Sequence, residues 1–299
     1  MGKIVGIGSS NTDMVITGRR IPSAGETVSG GRFMMNPGGK GANQAVAVAR
    51  LASKGWKCVF IGKVGDDLFG RSVGKRMKAD WIVPHLAIDN REASGTALIM
   101  VDDKGQNVIS VAPGANGTLS PGDIAPYLGE IERAAVLLMQ LETPLDVVMR
   151  AAEVAHAAGV PVILNPAPAR KLPRGLYPLI DWITPNETEA EALTGVKVVD
   201  AASAAEASKA LRRRGVGHVI ITMGSKGCWC GDCGRLFPAK KVKAVDCVAA
   251  GDTFNGALAV AIAEGMGCAE AVDFAQKASA IAVTRPGAQS SVPYRREIK

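Results

Sequence analysis

Ala249-Ala250-Gly251-Asp252 sets a carboxylate beside a backbone almost bare of side chains, directly ahead of an apolar segment of helical character. Two readings of Asp252 compete. Aspartate is a favoured helix N-cap, its carboxylate accepting from the first free amides. Alternatively, the small residues let an anion approach the N–H groups from Ala249 to Asp252, where the helix dipole favours negative charge. Asp252 then accepts a proton from an attacking hydroxyl. Base and anion hole side by side suit phosphoryl transfer. Polar groups recur elsewhere at the ends of apolar runs: Asn11 and Asp13, the turn Gly38-Gly39-Lys40-Gly41 with Asn43, Glu142, Asn165, Asn186 to Glu189, Thr222 to Gly227, and Asp246. Each has an ordinary explanation as an Asx turn, a solvated lysine, a helix cap or a simple turn. Their recurrence, run after run, points to a site.

The elements that must position these groups alternate. Strand-like runs at 3–8, 58–65, 134–141, 161–166, 181–186 and 218–224 are separated by helical stretches at 41–52, 69–80, 144–159, 187–195 and 204–215, and residues 253–285 read as nearly all helical. Repeated β-α-β predicts an α/β fold, a parallel sheet sandwiched between helices. In such sheets ligands bind outside the carboxyl ends of the strands, where the polar groups fall. Residues 14–36 and 95–111 break the pattern. The second alternates around Asp103-Lys104-Gly105 as a hairpin. Both read as a small β-layer inserted from two places into a single domain over 1–299, covering one end of the sheet as a candidate lid.

Composition excludes several classes. With 47% hydrophobic and 21% charged residues over 299 positions, the chain reads as globular. No apolar run reaches transmembrane length. The first apolar run is a strand rather than a signal peptide, so a cytoplasmic location without membrane association is expected. The formal charge of +7 is scattered. Its densest cluster, Arg212 to Arg214, complements a helix C-terminus, so nucleic acid is not indicated. The six cysteines read as reduced thiols. Cys228, Cys230 and Cys233 read as part of a hairpin rather than a metal site, because no Cys/His pair follows at zinc-finger spacing. Gly-Ile-Gly-Ser-Ser-Asn at 6–11 lacks the third glycine of a dinucleotide fingerprint. The 38–43 turn lacks the Ser/Thr and spacing of a Walker A loop.

Taken together, "GGKGANQAVA", "NPAPAR", "TPNETEAE", "TMGSKG", "AAGDTFNGA" and "AIAVTRPGAQSSVP" resemble the PfkB carbohydrate kinase family. The match runs to about Pro293, and the sugar-site residues resemble its ribokinase branch. The resemblance implies a three-layer α/β/α sandwich with a mainly parallel sheet and a small β-sheet lid, and ATP-dependent phosphorylation of the O5 hydroxyl of D-ribose. It implies Asp252 as base, with Ala249, Ala250 and Gly251 forming the anion hole. Asn11, Asp13, Gly39, Lys40, Asn43, Glu142 and Asp252 hold the sugar. Asn186, Thr222, Gly224, Ser225, Gly227, Gly251 and Gln276 line the ATP site, and Asn186 and Glu189 act on Mg²⁺ through water. A K⁺ activator is implied at Asp246, Val248, Ala282, Arg285, Gly287 and Ser291, and a homodimer through the lid. Cys247 departs from the pattern, standing where threonine is common beside Asp246. Other substrates of the family (deoxyribose, fructose, a nucleoside) and a non-catalytic sugar-binding regulator are the rival readings. The second is disfavoured, because a sensor has no use for the base and metal residues.

Overall fold

The computed structural model describes residues 2–298. In chain order the elements are β1 (Lys3–Ile7), β2 (Asn11–Thr17), β3 (Arg32–Gly38), α1 (Lys40–Leu51), β4 (Lys57–Gly65), α2 (Leu68–Ala79), β5 (Ile82–Asp89), β6 (Gly95–Val101) and β7 (Asn107–Ala112). The short α3 (Pro121–Ile124) and α4 (Leu128–Glu132) follow, then β8 (Val136–Met139), α5 (Leu145–Ala157), β9 (Val162–Leu164), β10 (Trp182–Ile183), α6 (Glu187–Thr194), α7 (Ala201–Arg213) and β11 (His218–Thr222). The chain ends with β12 (Cys228–Cys230), β13 (Arg235–Phe237), α8 (Ala250–Ala263) and α9 (Cys268–Ala282).

A nine-stranded sheet runs β13-β12-β11-β10-β9-β8-β1-β4-β5. From β11 to β5 every neighbouring pair is parallel; β12 and β13 are added antiparallel at one edge. The central strands are apolar throughout, as burial on both faces requires. Alternate residues serve opposite layers: Ile4 and Leu138 pack towards α1, α2, α8 and α9, whereas Val5 and Met139 pack towards α5, α6 and α7. This is the three-layer α/β/α arrangement expected. The strands stop where the polar residues begin: β9 ends at Leu164, before Asn165, and β10 at Ile183, before Thr184.

β5 is an addition to the sequence reading. It pairs with β4 along all eight of its residues despite Pro84, which lies opposite Phe60. β5 is the outermost strand, and an edge tolerates a residue that cannot donate outwards.

A second sheet of four strands runs β3-β2-β6-β7. It is mixed: β2 pairs antiparallel with β3 and parallel with β6, which pairs antiparallel with β7. The segments expected to leave the βαβ series thus supply its strands. The chain builds outwards from β1 through β4 to β5 on one side and then returns to lay β8 on the other, so the strand order reverses at β1. The crevice at the carboxyl ends of β1 and β8 is the switch point of the sheet.

Candidate active site

At that crevice lies a cavity of about 1060 Å³, bounded by the ends of the parallel strands, the first turns of α1 and α8, and the small sheet. Asn11, Asp13, Gly39, Lys40, Asn43, Glu142, Asn186, Glu189, Thr222, Val248, Ala249, Gly251 and Asp252 all line it.

α1 enters closely packed. A Cβ on Gly39 would lie 2.7 Å from the Asn11 nitrogen and 2.8 Å from Ser10 Cα, and its φ of 88° suits glycine alone. The Lys40 amide then donates to Glu142 Oε2 at 3.0 Å, and Ser9 Oγ donates to the same oxygen at 2.5 Å. Burial alone would lower the Lys40 pKa, but the charges of Asp252, Glu142 and Glu189 outweigh it and hold the ammonium protonated.

α8 resolves the competition over Asp252. The N-cap is Ala249, in the left-handed region at φ 58° and ψ 13°, and it makes no side-chain capping bond. Asp252 is therefore the third residue of the helix, not its cap. Its Oδ2 accepts from Asn43 Nδ2 at 2.9 Å and its Oδ1 from Gln44 Nε2 at 3.0 Å. Asp252 as a whole is 7% exposed. Burial raises its pKa, and the opposing pull of Lys40, Asn43 and Gln44 does not cancel the rise. Beside it, a Cβ placed on Gly251 would meet nothing within 4 Å, so the start of α8 is open to an incoming group.

The partners of Asp252 come from helix packing. α1 and α8 cross at Gly256, where a Cβ would come 2.4 Å from Ala47 Cβ and 2.8 Å from the Gln44 carbonyl. Gln44 is fully buried and also bonds Asn165 Oδ1 at 3.1 Å and, through its own oxygen, Gln140 Nε2 at 2.6 Å. Asn116 Nδ2 donates to Asn11 Oδ1 at 2.8 Å and so fixes a sugar-site candidate from the 3₁₀ turn after β7. Gln44 and Asn116 were absent from the sequence-predicted site. Gln44 has a weak signal, lying four residues after Lys40 on one helical face; Asn116 has none.

Across the cavity Asn186 and Glu189 form a reciprocal capping box on α6, with bonds of 2.9 and 2.8 Å. They are thus a helix cap and cavity lining at once. Burial raises the Glu189 pKa. Burial likewise raises that of Asp13, to about 6, aided by Glu142 and Asp252.

The remaining candidates lie apart. Gly224, Ser225 and Gly227 form the turn that leaves β11. Gln276 is committed elsewhere, donating to the Phe237 carbonyl at 3.0 Å. It lines a separate groove of about 410 Å³ between β13 and α9. Asp246 ties two loops together, accepting from Val248 N and Gly287 N, each at 2.9 Å. Ser291 is buried and donates to the Ala288 carbonyl at 2.8 Å. Ala282 accepts from the Arg285 amide at 3.0 Å.

Residues 1–295 match the model of the pfkB family carbohydrate kinases. The chain belongs to this family. It is 44% identical to a ribokinase of Haemophilus influenzae over 97% of this chain and 95% of that one. It is 36% identical to a deoxyribokinase of Salmonella typhi, over 96% and 94%. A solved structure of an Arabidopsis thaliana ribokinase complexed with ribose and ATP superposes with a TM-score of 0.87 at 31% identity, covering 99% of this chain and 97% of that one. A carbohydrate kinase needs a hydroxyl acceptor site and a phosphoryl donor site.

Proposed function

We propose that this chain transfers the γ-phosphoryl group of ATP to the O5 hydroxyl of D-ribose. The observation that carries the reading is Asp252: buried, gripped by two side-chain amides, and set at the uncapped start of α8 in a cavity rich in hydrogen-bonding groups. Asn11, Asp13, Gly39, Lys40, Asn43 and Glu142 hold the sugar hydroxyls. A polyol needs paired partners, and a site built from them rejects analogues lacking a hydroxyl. Asn43 Oδ1 is buried without a partner and suits a sugar hydroxyl. Asp252 takes the proton from O5 as the oxygen attacks. The free amides of Gly251 and Asp252, beside an Ala250 N–H that donates to the Cys247 carbonyl at 3.3 Å, stabilise the charge on the transferring group, and Lys40 adds a fixed cation.

Asn186, Thr222, Gly224, Ser225 and Gly227 are assigned to the nucleotide, with Gln276 acting through the hairpin wall it braces. Asn186 and Glu189 suit water-mediated contact with Mg²⁺, which when bound neutralises phosphate charge; a buried carboxyl whose pKa burial raises, despite the charge of Lys40, fits that task. Asp246, the carbonyls of Val248, Ala282, Arg285 and Gly287, and Ser291 are an all-oxygen set, the donor chemistry of K⁺, which would fix the loop leading into α8. The four-stranded sheet acts as a lid over a single kinase domain and carries the homodimer interface. A cytoplasmic location agrees with ATP as co-substrate; among the described residues no helix is long and apolar enough to cross a membrane.

The test is ATP turnover by wild type and Asp252→Asn on ribose, deoxyribose, fructose and a nucleoside, with and without K⁺. Ribose is expected as the best substrate. Asp252→Asn is expected to keep ribose binding and lose roughly 10²- to 10⁴-fold in kcat. Normal turnover in the variant sinks the role of Asp252. Preference for deoxyribose moves the substrate assignment to the other relative's activity and leaves the mechanism standing.

A further inference from the structure

The antiparallel extension of the large sheet carries a cluster that phosphoryl transfer does not use. β12 ends at Cys230, and the turn Gly231-Asp232 brings Cys233 back beside it, a Cys-x-x-Cys knuckle between β12 and β13. The Cys233 backbone N–H donates to Cys230 Sγ at 3.4 Å. Amide donation to sulfur is how a short turn stabilises a thiolate. The third member is Cys268, the first residue of α9, 35 positions after Cys233. A helix N-terminus also favours a thiolate. Cys268 Sγ lies 3.3 Å from Cys230 Sγ and 3.7 Å from Cys233 Sγ, and all three sulfurs lie within 4.8 Å of one another. Sequence spacing hides this set, because folding rather than proximity along the chain supplies the third ligand.

We infer that Cys230, Cys233 and Cys268 bind a thiophilic divalent metal ion, Zn²⁺ by preference, as three thiolates. Tetrahedral Zn–S bonds of about 2.3 Å place sulfurs about 3.8 Å apart. The 3.3 and 3.7 Å spacings to Cys268 need to widen by about 0.5 and about 0.1 Å to reach that value. Three free thiols at mutual contact are more than a disulfide can use, and the softness of sulfur selects against Mg²⁺ and K⁺. Asp232, inside the knuckle, is paired with Arg212 and is not a ligand. Cys230 is buried, while Cys233 and Cys268 are half-exposed, so the fourth position opens towards solvent and takes water. Binding releases the thiol protons to solvent. The ion would pin the hairpin to the start of α9. These elements bound the groove lined by Phe237, Lys240, Asp273 and Gln276, apart from the large cavity.

Reduced, chelator-treated protein is titrated with Co²⁺ alone and then with Zn²⁺. One equivalent of Co²⁺ is expected to develop a thiolate-to-cobalt charge-transfer band and the intense visible bands of tetrahedral coordination, both bleached by Zn²⁺. Cys233→Ser and Cys268→Ser are each expected to abolish the bands, and Cys247→Ser to keep them. Zn²⁺ is expected to raise the Tm of wild type and of neither ligand variant. Absence of the bands in wild type with all six thiols free overturns the proposal, as does their persistence in both ligand variants or their loss in Cys247→Ser. So does a disulfide within the set, found by mass spectrometry of protein kept under reducing conditions. Should Cys268→Ser misfold by circular dichroism, Cys233→Ser, in the turn, decides alone.

Discussion

Asp13 shows what the site does to a single side chain. Its carboxyl is pushed from 3.8 to about 6 by burial first, then by Glu142 and Asp252. A folded-state acid with a raised pKa binds its proton more tightly than the unfolded chain does. Stability therefore falls as pH rises through the window from about 4 to about 6, and the penalty is complete above it. Asp13→Asn removes the charge. The variant is expected to be more stable than wild type at pH 8 by roughly 1–3 kcal/mol. The gain should vanish near pH 4, and the KM for ribose should rise. Thermal melts of both proteins across pH check the first part and steady-state kinetics the second. A gain of equal size at both ends of the pH range excludes a titrating cause. The same carboxylate that weakens the empty fold is the one assigned to the sugar.

Elements decide where such side chains meet, and here legibility in the sequence divides. Asn11, Glu142 and Asp252 were visible because each terminates an apolar run or begins a helix, and strand ends in an α/β sheet converge at one rim. Gln44 was not, because the property that matters is the crossing of α1 and α8, set by Gly256 and Ala47 from segments more than 200 residues apart. Asn116 was hidden in a 3₁₀ turn with no periodicity of its own, and β5 by Pro84 and His85, which interrupt its apolar run. Cys268 was hidden by distance along the chain. The helix crossing has a direct test. Gly256→Val overfills the contact and is expected to cost roughly 1–3 kcal/mol of stability. By separating Asn43 and Gln44 from Asp252 it should lower kcat more than it raises the KM for ribose. Chemical denaturation with kinetics on the same sample checks this. A stability loss with unchanged kcat means that Asp252 keeps its orientation without the two amides.

At the scale of the molecule the feature that remains unexplained by one chain is the outer face of the small sheet. Asn11, Asp13, Ala97 and Ile99 turn towards the cavity. Register places Met14, Ile16, Phe33, Met35, Leu98, Met100 and Val108 on the opposite face. That face is apolar yet open, with Phe33 60%, Met35 54% and Leu98 55% exposed. A sheet with one solvated face normally alternates apolar inside with polar outside. A contiguous apolar patch beyond a few hundred Å² marks an interaction site. Two copies meeting through this face would bury it and brace each other's lid above the sugar. Phe33→Glu with Leu98→Glu puts four carboxylates into such an interface. Sedimentation should give wild type at twice the mass of one chain and the double variant at that of a single chain, with native circular dichroism. Because the inner face of the same strands carries Asp13, loss of the partner should raise the KM for ribose more than it lowers kcat. A monomeric wild type would remove the dimer and leave the exposed face without an occupant. A dimeric double variant would place the contact elsewhere on the surface.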